Sequence, residues 1–328
     1  MSNIQVAVNS QVQEVLEELK KRTIKNVFFV ACGGSSALMY PSKYVMDREA
    51  VQIVSDLYSS NEFIHRNPKG LGKESLVILC SHSGTTPETV EATKFAKDKG
   101  AMTVALTNEP QSPLAKNADY YVKYEWGDEA KAINTNYSIM YQLTFGLLQV
   151  AEKNDQLAKI MASLENLQSV YDKALKKEED SARQFGELHK DEPIIYTMAS
   201  GSNYGVAYSF SICILMEMQW IHSHAIHAGE YFHGPFEIID EKVPFIILLG
   251  LDETRPLEER ALSFSERYGK KLTVLDAKEF NLEGIDEEVK GYIAPLVLNR
   301  VLRQYADRLA DERNHPLSKR RYMWKVEY

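Results

Sequence analysis

Three short segments carry most of the residues that could act on a substrate. In the first, Ser81-His82-Ser83-Gly84-Thr85-Thr86 runs directly into Pro87-Glu88-Thr89. Proline at this point marks the first turn of a helix. Hydroxyls and free backbone N–H groups therefore gather at a helix N-terminus, where the peptide dipoles favour an anion. Such a turn could hold a phosphate dianion without any lysine or arginine. It could equally be a simple capping turn, since Ser and Thr are common helix caps. In the second segment, Glu217 interrupts the apolar helical run Phe210–Trp220. A lone carboxylate there lies either on a solvent face or in a site, and burial in a site would raise its pKa toward that of a usable general base. The third segment holds His222, His224, His227 and His233, half of the eight histidines of the chain. Zinc is the competing chemistry. No His-Glu-x-x-His motif accompanies the cluster, and neither a helix nor a strand puts positions 222, 224 and 227 on one face. No metal is expected, and His233, in the glycine-flanked loop Gly229-Glu230-Tyr231-Phe232-His233-Gly234-Pro235, is the candidate proton carrier.

The elements that must position these residues occur twice. Val27–Ala31 feeds Gly33-Gly34-Ser35-Ser36, and Ile194–Ala199 feeds Ser200-Gly201-Ser202-Asn203. Leu76–Cys80 leads through a turn to Pro87, and Phe245–Leu249 leads through a turn to Pro256. Thr103–Leu106 follows Gly100, and Leu272–Leu275 follows Gly269. The offsets are 167–169 residues (Gly34 to Gly201, Pro87 to Pro256, Gly100 to Gly269), which marks an internal duplication. Short continuous runs rich in Val and Ile, alternating with amphipathic helical stretches, predict parallel sheets covered on both faces. In such sheets ligands bind beyond the carboxyl ends of the strands, where the Gly/Ser turns fall. The expected organisation is two domains, 1–155 and 156–328, with 152–190 as a charged helical connection.

The duplicate also weighs on the first turn. Its second copy reads Gly250-Leu251-Asp252-Glu253-Thr254-Arg255, with carboxylates where the first has Ser83 and Gly84. A phosphate would be repelled by the second copy, so only the first keeps a hydroxyl cradle.

Composition narrows the partners. In 328 residues, 44% are hydrophobic and 26% charged, with a net charge of −8, so a globular core is expected. A basic stripe for nucleic acid is absent before the short run Lys319–Arg321. Cys32, Cys80 and Cys213 lie far apart and read as reduced core thiols rather than a disulfide or zinc framework. Met1–Gln5 lacks the cationic head of a leader and no apolar stretch is long enough to span a bilayer, so a cytoplasmic protein without membrane contact is expected.

The Gly33-Gly34-Ser35 turn, the Ser-x-Ser-Gly-x-Thr loop and the Gly-Glu-x-x-His-Gly-Pro segment together resemble the double-SIS sugar-phosphate enzymes, including the isomerase part of glucosamine-6-phosphate synthase. Asn134-Thr135-Asn136 and the tail Asn314-His315-Pro316-Leu317-Ser318 bring the resemblance closer to fructosamine-6-phosphate deglycases of the fructoselysine type. It covers essentially the whole chain. The resemblance implies two tandem SIS domains, each a flavodoxin-like three-layer αβα sandwich. It implies phosphate binding by Gly34, Ser35, Ser81, Ser83 and Thr86, proton transfer by Glu217 and His233, and further substrate contacts from Asn134, Thr135 and Lys325. No cofactor is implied, and the family pattern is a homodimer or larger homo-oligomer with sites at the interface. The implied reaction releases an amino acid from a fructosamine 6-phosphate. The alternatives are an aldose–ketose isomerase or amino-sugar-phosphate deaminase using the same proton shuttle, and a sugar-phosphate-sensing regulator. A missing helix-turn-helix segment and the presence of both Glu217 and His233 count against the regulator.

Overall fold

The computed structural model describes residues 6–327; the Met1–Gln5 segment read above for a leader and Tyr328 lie outside them. The chain divides into two compact units. One comprises Met1–Gln168 with Gly284–Val289, the other Ser169–Glu283 with Lys290–Tyr328. The division falls inside the long helix Leu157–Lys177, which is followed by a second helix, Glu179–His189.

In the first unit five strands, β1 (Asn26–Ala31), β2 (Val54–Tyr58), β3 (Ser75–Cys80), β4 (Met102–Thr107) and β5 (Tyr120–Lys123), form one parallel sheet in the order β2-β1-β3-β4-β5. The three central strands are buried almost throughout, which is why their sequences are continuous apolar runs. Each fully buried aliphatic side chain there contributes about 1.5–3 kcal/mol. On one face Phe28, Val30, Val77 and Leu79 pack with Phe63 and Ala92 from helices Ser60–Arg66 and Pro87–Asp98. Helices Ser10–Leu19 and Asn136–Glu152 pack on each other, and a side chain at Gly146 would strike Leu16.

The second unit repeats the plan with four parallel strands, β6 (Tyr196–Ala199), β7 (Ala225–His227), β8 (Phe245–Leu249) and β9 (Leu272–Asp276), in the order β7-β6-β8-β9. This is the β2-β1-β3-β4 order of the first unit, so the duplication read from spacing is present in the topology. Gly33 and Gly201, both in the left-handed region at φ +54° and +50°, turn the chain two residues beyond β1 and β6, so Gly33 rather than Gly34 is the counterpart of Gly201. In each unit the chain moves toward opposite edges of the sheet from two neighbouring strands, β1 and β3 or β6 and β8. The polar turns stand at that switch point. Among the described residues no helix is long and apolar enough to cross a membrane, and all three cysteines are free thiols.

Candidate active site

Register places the two turns of the first unit side by side. Ala31 pairs with Cys80, so Gly34 and Ser35 after β1 adjoin Ser81–Thr86 after β3. Ser35 hydrogen-bonds the Cys80 thiol, which burial pushes up to about 12. Within the second turn the hydroxyls organise one another. Ser81 Oγ lies 2.9 Å from Thr86 Oγ1 and accepts from the Gly84 amide at 3.1 Å, while Ser83 Oγ lies 2.8 Å from Thr85 Oγ1. Gly84 has φ +63°, and a Cβ there would sit 2.0 Å from Ser112 Oγ, so no other residue fits. Thr86 precedes Pro87 as the helix cap, yet no side-chain hydrogen bond caps the helix Pro87–Asp98. The capping reading of these hydroxyls therefore fails at Thr86, and the positive end of a 12-residue helix points into the turn.

The same region of the second unit is filled by its own carboxylates. Asp252 accepts from the Ser202 amide and hydroxyl through one oxygen and from the Thr254 amide and hydroxyl through the other. Glu258 accepts from the Ser200 amide and hydroxyl at 2.9 and 3.0 Å and from the Gly250 amide at 2.6 Å. Burial pushes the Glu258 carboxyl up to about 7 against those hydrogen bonds. The acidic character of Asp252 was legible in the sequence; the part played by Glu258, inside the following helix, was not.

Glu217 stands on a π-helix, Ser209–Met218, that continues the α-helix Tyr204–Tyr208. Wide turns of this kind recur at functional sites. The Glu217 side chain is 26% exposed and its Oε1 receives Nη2 of Arg320 at 2.9 Å. Burial raises the Glu217 pKa, and the Arg320 charge and hydrogen bond oppose the rise only in part. The C-terminal tail that delivers Arg320 is tied down nearby. Gln219 Nε2 donates to the His315 carbonyl at 2.7 Å, Lys319 and Arg321 both lie over the Trp220 ring, and Lys325 Nζ donates to the Arg320 carbonyl at 2.6 Å. Lys325 thus joins the group around Glu217 through the backbone of Arg320. Arg320 was missed by sequence reasoning, which saw only a short basic run.

His233 is exposed on the loop between the 3-10 turns Ala228–Glu230 and Pro235–Ile238. Its neighbours hold the loop. Tyr231 is buried with its hydroxyl 3.0 Å from Ser265 Oγ, and Phe232 and Phe236 pack edgewise on Phe264. Gly234 turns at φ +134°. No hydrogen bond joins Glu217 to His233 among the described residues. His222 and His224 are exposed, while His227 Nδ1 accepts from the Gly229 amide at 3.1 Å and its ring lies against Tyr204. Among the described residues no group of three or more His, Cys, Asp or Glu side chains is placed to hold a metal ion.

Asn134 and Thr135 are engaged locally. Asn134 Nδ2 donates to Glu125 at 2.8 Å, and the Thr135 hydroxyl donates to the Ala132 carbonyl at 2.8 Å. An unforeseen aromatic group borders the phosphate-type turn instead. His82 Nδ1 lies 3.0 Å from the Tyr124 hydroxyl and its ring meets Trp126, which is 62% exposed.

A parallel sheet with hydroxyl-rich turns at its switch point is the arrangement of an SIS-type protein, and the comparisons agree. Residues 21–147 match the SIS domain. Over 328 residues, the whole of both chains, the sequence is 70% identical to fructosamine deglycase FrlB of Bacillus subtilis (strain 168). Fructoselysine 6-phosphate deglycase of Escherichia coli (strain K12) is 31% identical over 95% of this chain and 89% of the relative. A Bacillus subtilis protein solved as a candidate phosphosugar isomerase has a TM-score of 0.97 at 71% identity, with 98% of each chain covered. The C-terminal domain of glucosamine-fructose-6-phosphate aminotransferase from Francisella tularensis, at 21% identity and TM-score 0.80 over 94% and 90% of the two chains, shares the fold. The chain belongs to the SIS-domain family, in the group that holds the fructosamine deglycases.

Proposed function

We propose that this chain is a fructosamine-6-phosphate deglycase, converting fructoselysine 6-phosphate or a related conjugate and water into glucose 6-phosphate and a free amino acid. The observation that carries the reading is full-length similarity, at 70% identity, to a protein named for this class of reaction. The hydroxyl-lined turn and the half-buried Glu217 give it a chemical basis. Gly34, Ser35, Ser81, Ser83 and Thr86 hold the phosphate, whose remote binding energy orients C1 and C2 of the sugar. With the ring open, the substrate presents a C2 ketone beside a C1 methylene that carries the amine. Glu217 removes a C1 proton to give the enaminol and returns a proton to C2, leaving an imine between C1 and nitrogen. Water adds to C1, the C–N bond breaks, and the amine leaves with a proton. His233 supplies and takes protons at oxygen and nitrogen, a task suited to imidazole because one ring nitrogen can donate while the other accepts. Each proton transfer is worth about 10²–10⁴-fold in rate.

The upward shift of the Glu217 pKa by burial supports its role, because a carboxylate with higher proton affinity is the stronger base. The reaction takes place in the cytoplasm, where free thiols such as Cys32, Cys80 and Cys213 stay reduced. The working unit is a homodimer or larger homo-oligomer with sites at its interface.

Incubation with fructoselysine 6-phosphate, with separate detection of glucose 6-phosphate and lysine, tests the activity. Equal release of both products is expected; conversion to an isomeric sugar phosphate with no free amine would replace this reading with an isomerase. Glu217→Gln is expected to lower turnover by about 10²-fold or more while sugar-phosphate binding changes little. Near-normal lysine release from that variant would remove Glu217 from the mechanism.

A further inference from the structure

Lys319, Arg320 and Arg321 are consecutive, yet they do two different things. Lys319 Nζ and the Arg321 guanidinium lie 5.1 and 4.3 Å from the centre of the Trp220 ring. Arg320, between them, points to Glu217. Trp220 itself has φ +57°, a left-handed conformation that a bulky side chain adopts only where its surroundings impose it. His315, at the start of the tail, meets the same ring edge-on at 4.5 Å. The tail thus grips the residue three places beyond Glu217, and that grip aims Arg320.

The Arg320 guanidinium is fixed on several sides. Nη1 donates to the carbonyls of Leu317 and Lys319 at 2.7 and 3.0 Å, Nη2 forms an ion pair with Glu217 Oε1 at 2.9 Å, and Cζ lies 5.4 Å from the Trp324 ring centre. It is only 9% exposed, and its Nε has no partner. A surface ion pair would contribute little. This one joins a nearly buried, geometrically fixed cation to a half-buried carboxylate, where solvent screens the attraction much less.

We propose that Arg320 is a positioning residue for the reaction: delivered by the clamped tail, it orients Glu217 and keeps it ionised while leaving Oε2 free to work as the base. The proposal rests on the reading of Glu217 given above. Around Glu217 the other titratable groups are Cys213, four residues earlier on the π-helix, and, on the packed tail and the end of helix Lys290–Glu312, Arg313, His315, Lys319, Arg321 and Lys325. Cys213 is neutral, since burial and the Glu217 charge push its thiol up to about 12. The tail cations are engaged with Trp220 or with backbone carbonyls. Arg320 alone among them forms an ion pair with the carboxylate. Without it, burial acts unopposed and the carboxylate holds its proton to higher pH.

The test compares Arg320→Gln, Arg320→Lys and Glu217→Gln with the wild-type enzyme, measuring deglycase kcat and KM across pH. Arg320→Gln is expected to lower kcat by about 10-fold or more with a smaller change in KM. Its acid limb should move up by about one pH unit, because a neighbouring cation depresses a carboxyl pKa by about that much or more. Arg320→Lys restores the charge without the fork, so its acid limb should return toward wild type while kcat recovers only in part. If Arg320→Gln melts like wild type and its acid limb does not move, Arg320 is not the positioning residue. If Arg320→Gln fails to fold, Arg320→Lys decides, and wild-type kcat and limb in that variant overturn the role assigned to the guanidinium. Full activity in Glu217→Gln overturns the Glu217 assignment itself, a different failure.

Discussion

After β3 and after β8 the chain builds the same object twice: a strand end, a polar turn and a helix that begins with proline at its first or second position. The two turns have opposite answers to one physical problem. Backbone amides at a switch point need acceptors, because a buried unsatisfied N–H costs about 1–3 kcal/mol. In the second unit Asp252 and Glu258 supply them, collecting the amides of Ser200, Ser202, Gly250 and Thr254. The turn is closed by its own negative charge. In the first unit the corresponding places carry Ser83 and Thr89, neither of them acidic. Thr89 turns away to Ser60, its hydroxyl 2.9 Å from Ser60 Oγ, and among the described residues the hydroxyls of Ser81, Ser83, Thr85 and Thr86 pair with one another and with turn amides. Such a turn can exchange those weak mutual bonds for charge-assisted bonds to an incoming anion. Divergence between the two copies at a few positions has left one turn satisfied from within and one whose hydroxyls are proposed to take the substrate phosphate.

The sharpest way to break this contrast is to make the first turn resemble the second. Ser83→Asp places a carboxylate where the phosphate is proposed to lie, and like-charge contact should raise KM for the sugar phosphate by about 100-fold or more with the fold retained. Ser83→Ala removes one hydrogen bond to a charged group, worth roughly 1.5–3 kcal/mol, so KM should rise by about 10- to 100-fold with kcat less affected. Inhibition by glucose 6-phosphate unchanged in both variants would show that the anion sits elsewhere.

A second substitution tests the closed turn. Asp252→Asn turns an acceptor-only group into one that faces donors with an amide, and should lower stability by about 2 kcal/mol. Denaturant unfolding would measure the loss, while KM should stay at its wild-type value. A rise in KM matching that of Ser83→Ala would mean that the two turns are not functionally distinct.

The smallest expected effect is on pH dependence. The Glu258 carboxyl in the folded protein lies at about 7, above its ordinary value. Its contribution to stability is therefore complete below the ordinary carboxyl range and is lost as pH rises through about 7. The melting temperature of wild type should fall between pH 5 and pH 8, and Glu258→Gln, which cannot ionise, should melt lower at acidic pH but with a flatter profile. Equal slopes in the two proteins would place the ionisation elsewhere.

The parts of this arrangement that could be read in advance share a cause. β1, β3, β4, β6, β8 and β9 were legible because each contains a short, largely continuous apolar run. Three of the four edge strands were not, since β2 alternates exposed and half-buried residues, β5 is half-exposed and β7 is three residues long. Local motifs were equally visible. Ser81–Thr86 and Gly229–Pro235 declare themselves because their turn chemistry is contained in a few adjacent residues. Asn134 and Thr135 show the limit of local reading: the resemblance offered them as substrate contacts, while their partners in the fold, Glu125 and the Ala132 carbonyl, depend on loop geometry.

By itself, then, the amino-acid sequence determined the two parallel sheets, their repetition, the places where polar turns emerge and the inequality between a hydroxyl turn and an acidic one. These follow from patterns of a few residues whose physics is local: burial of apolar runs, proline at helix starts, carboxylate against hydroxyl. Tertiary structure alone decided that Glu217 would stand on a π-helix and share its charge with Arg320, that Glu258 would reach the amides of Ser200 and Gly250, and that His82 would meet Tyr124 and Trp126. Those contacts join residues remote in the chain, and their strength depends on burial, distance and angle. No local pattern encodes any of the three.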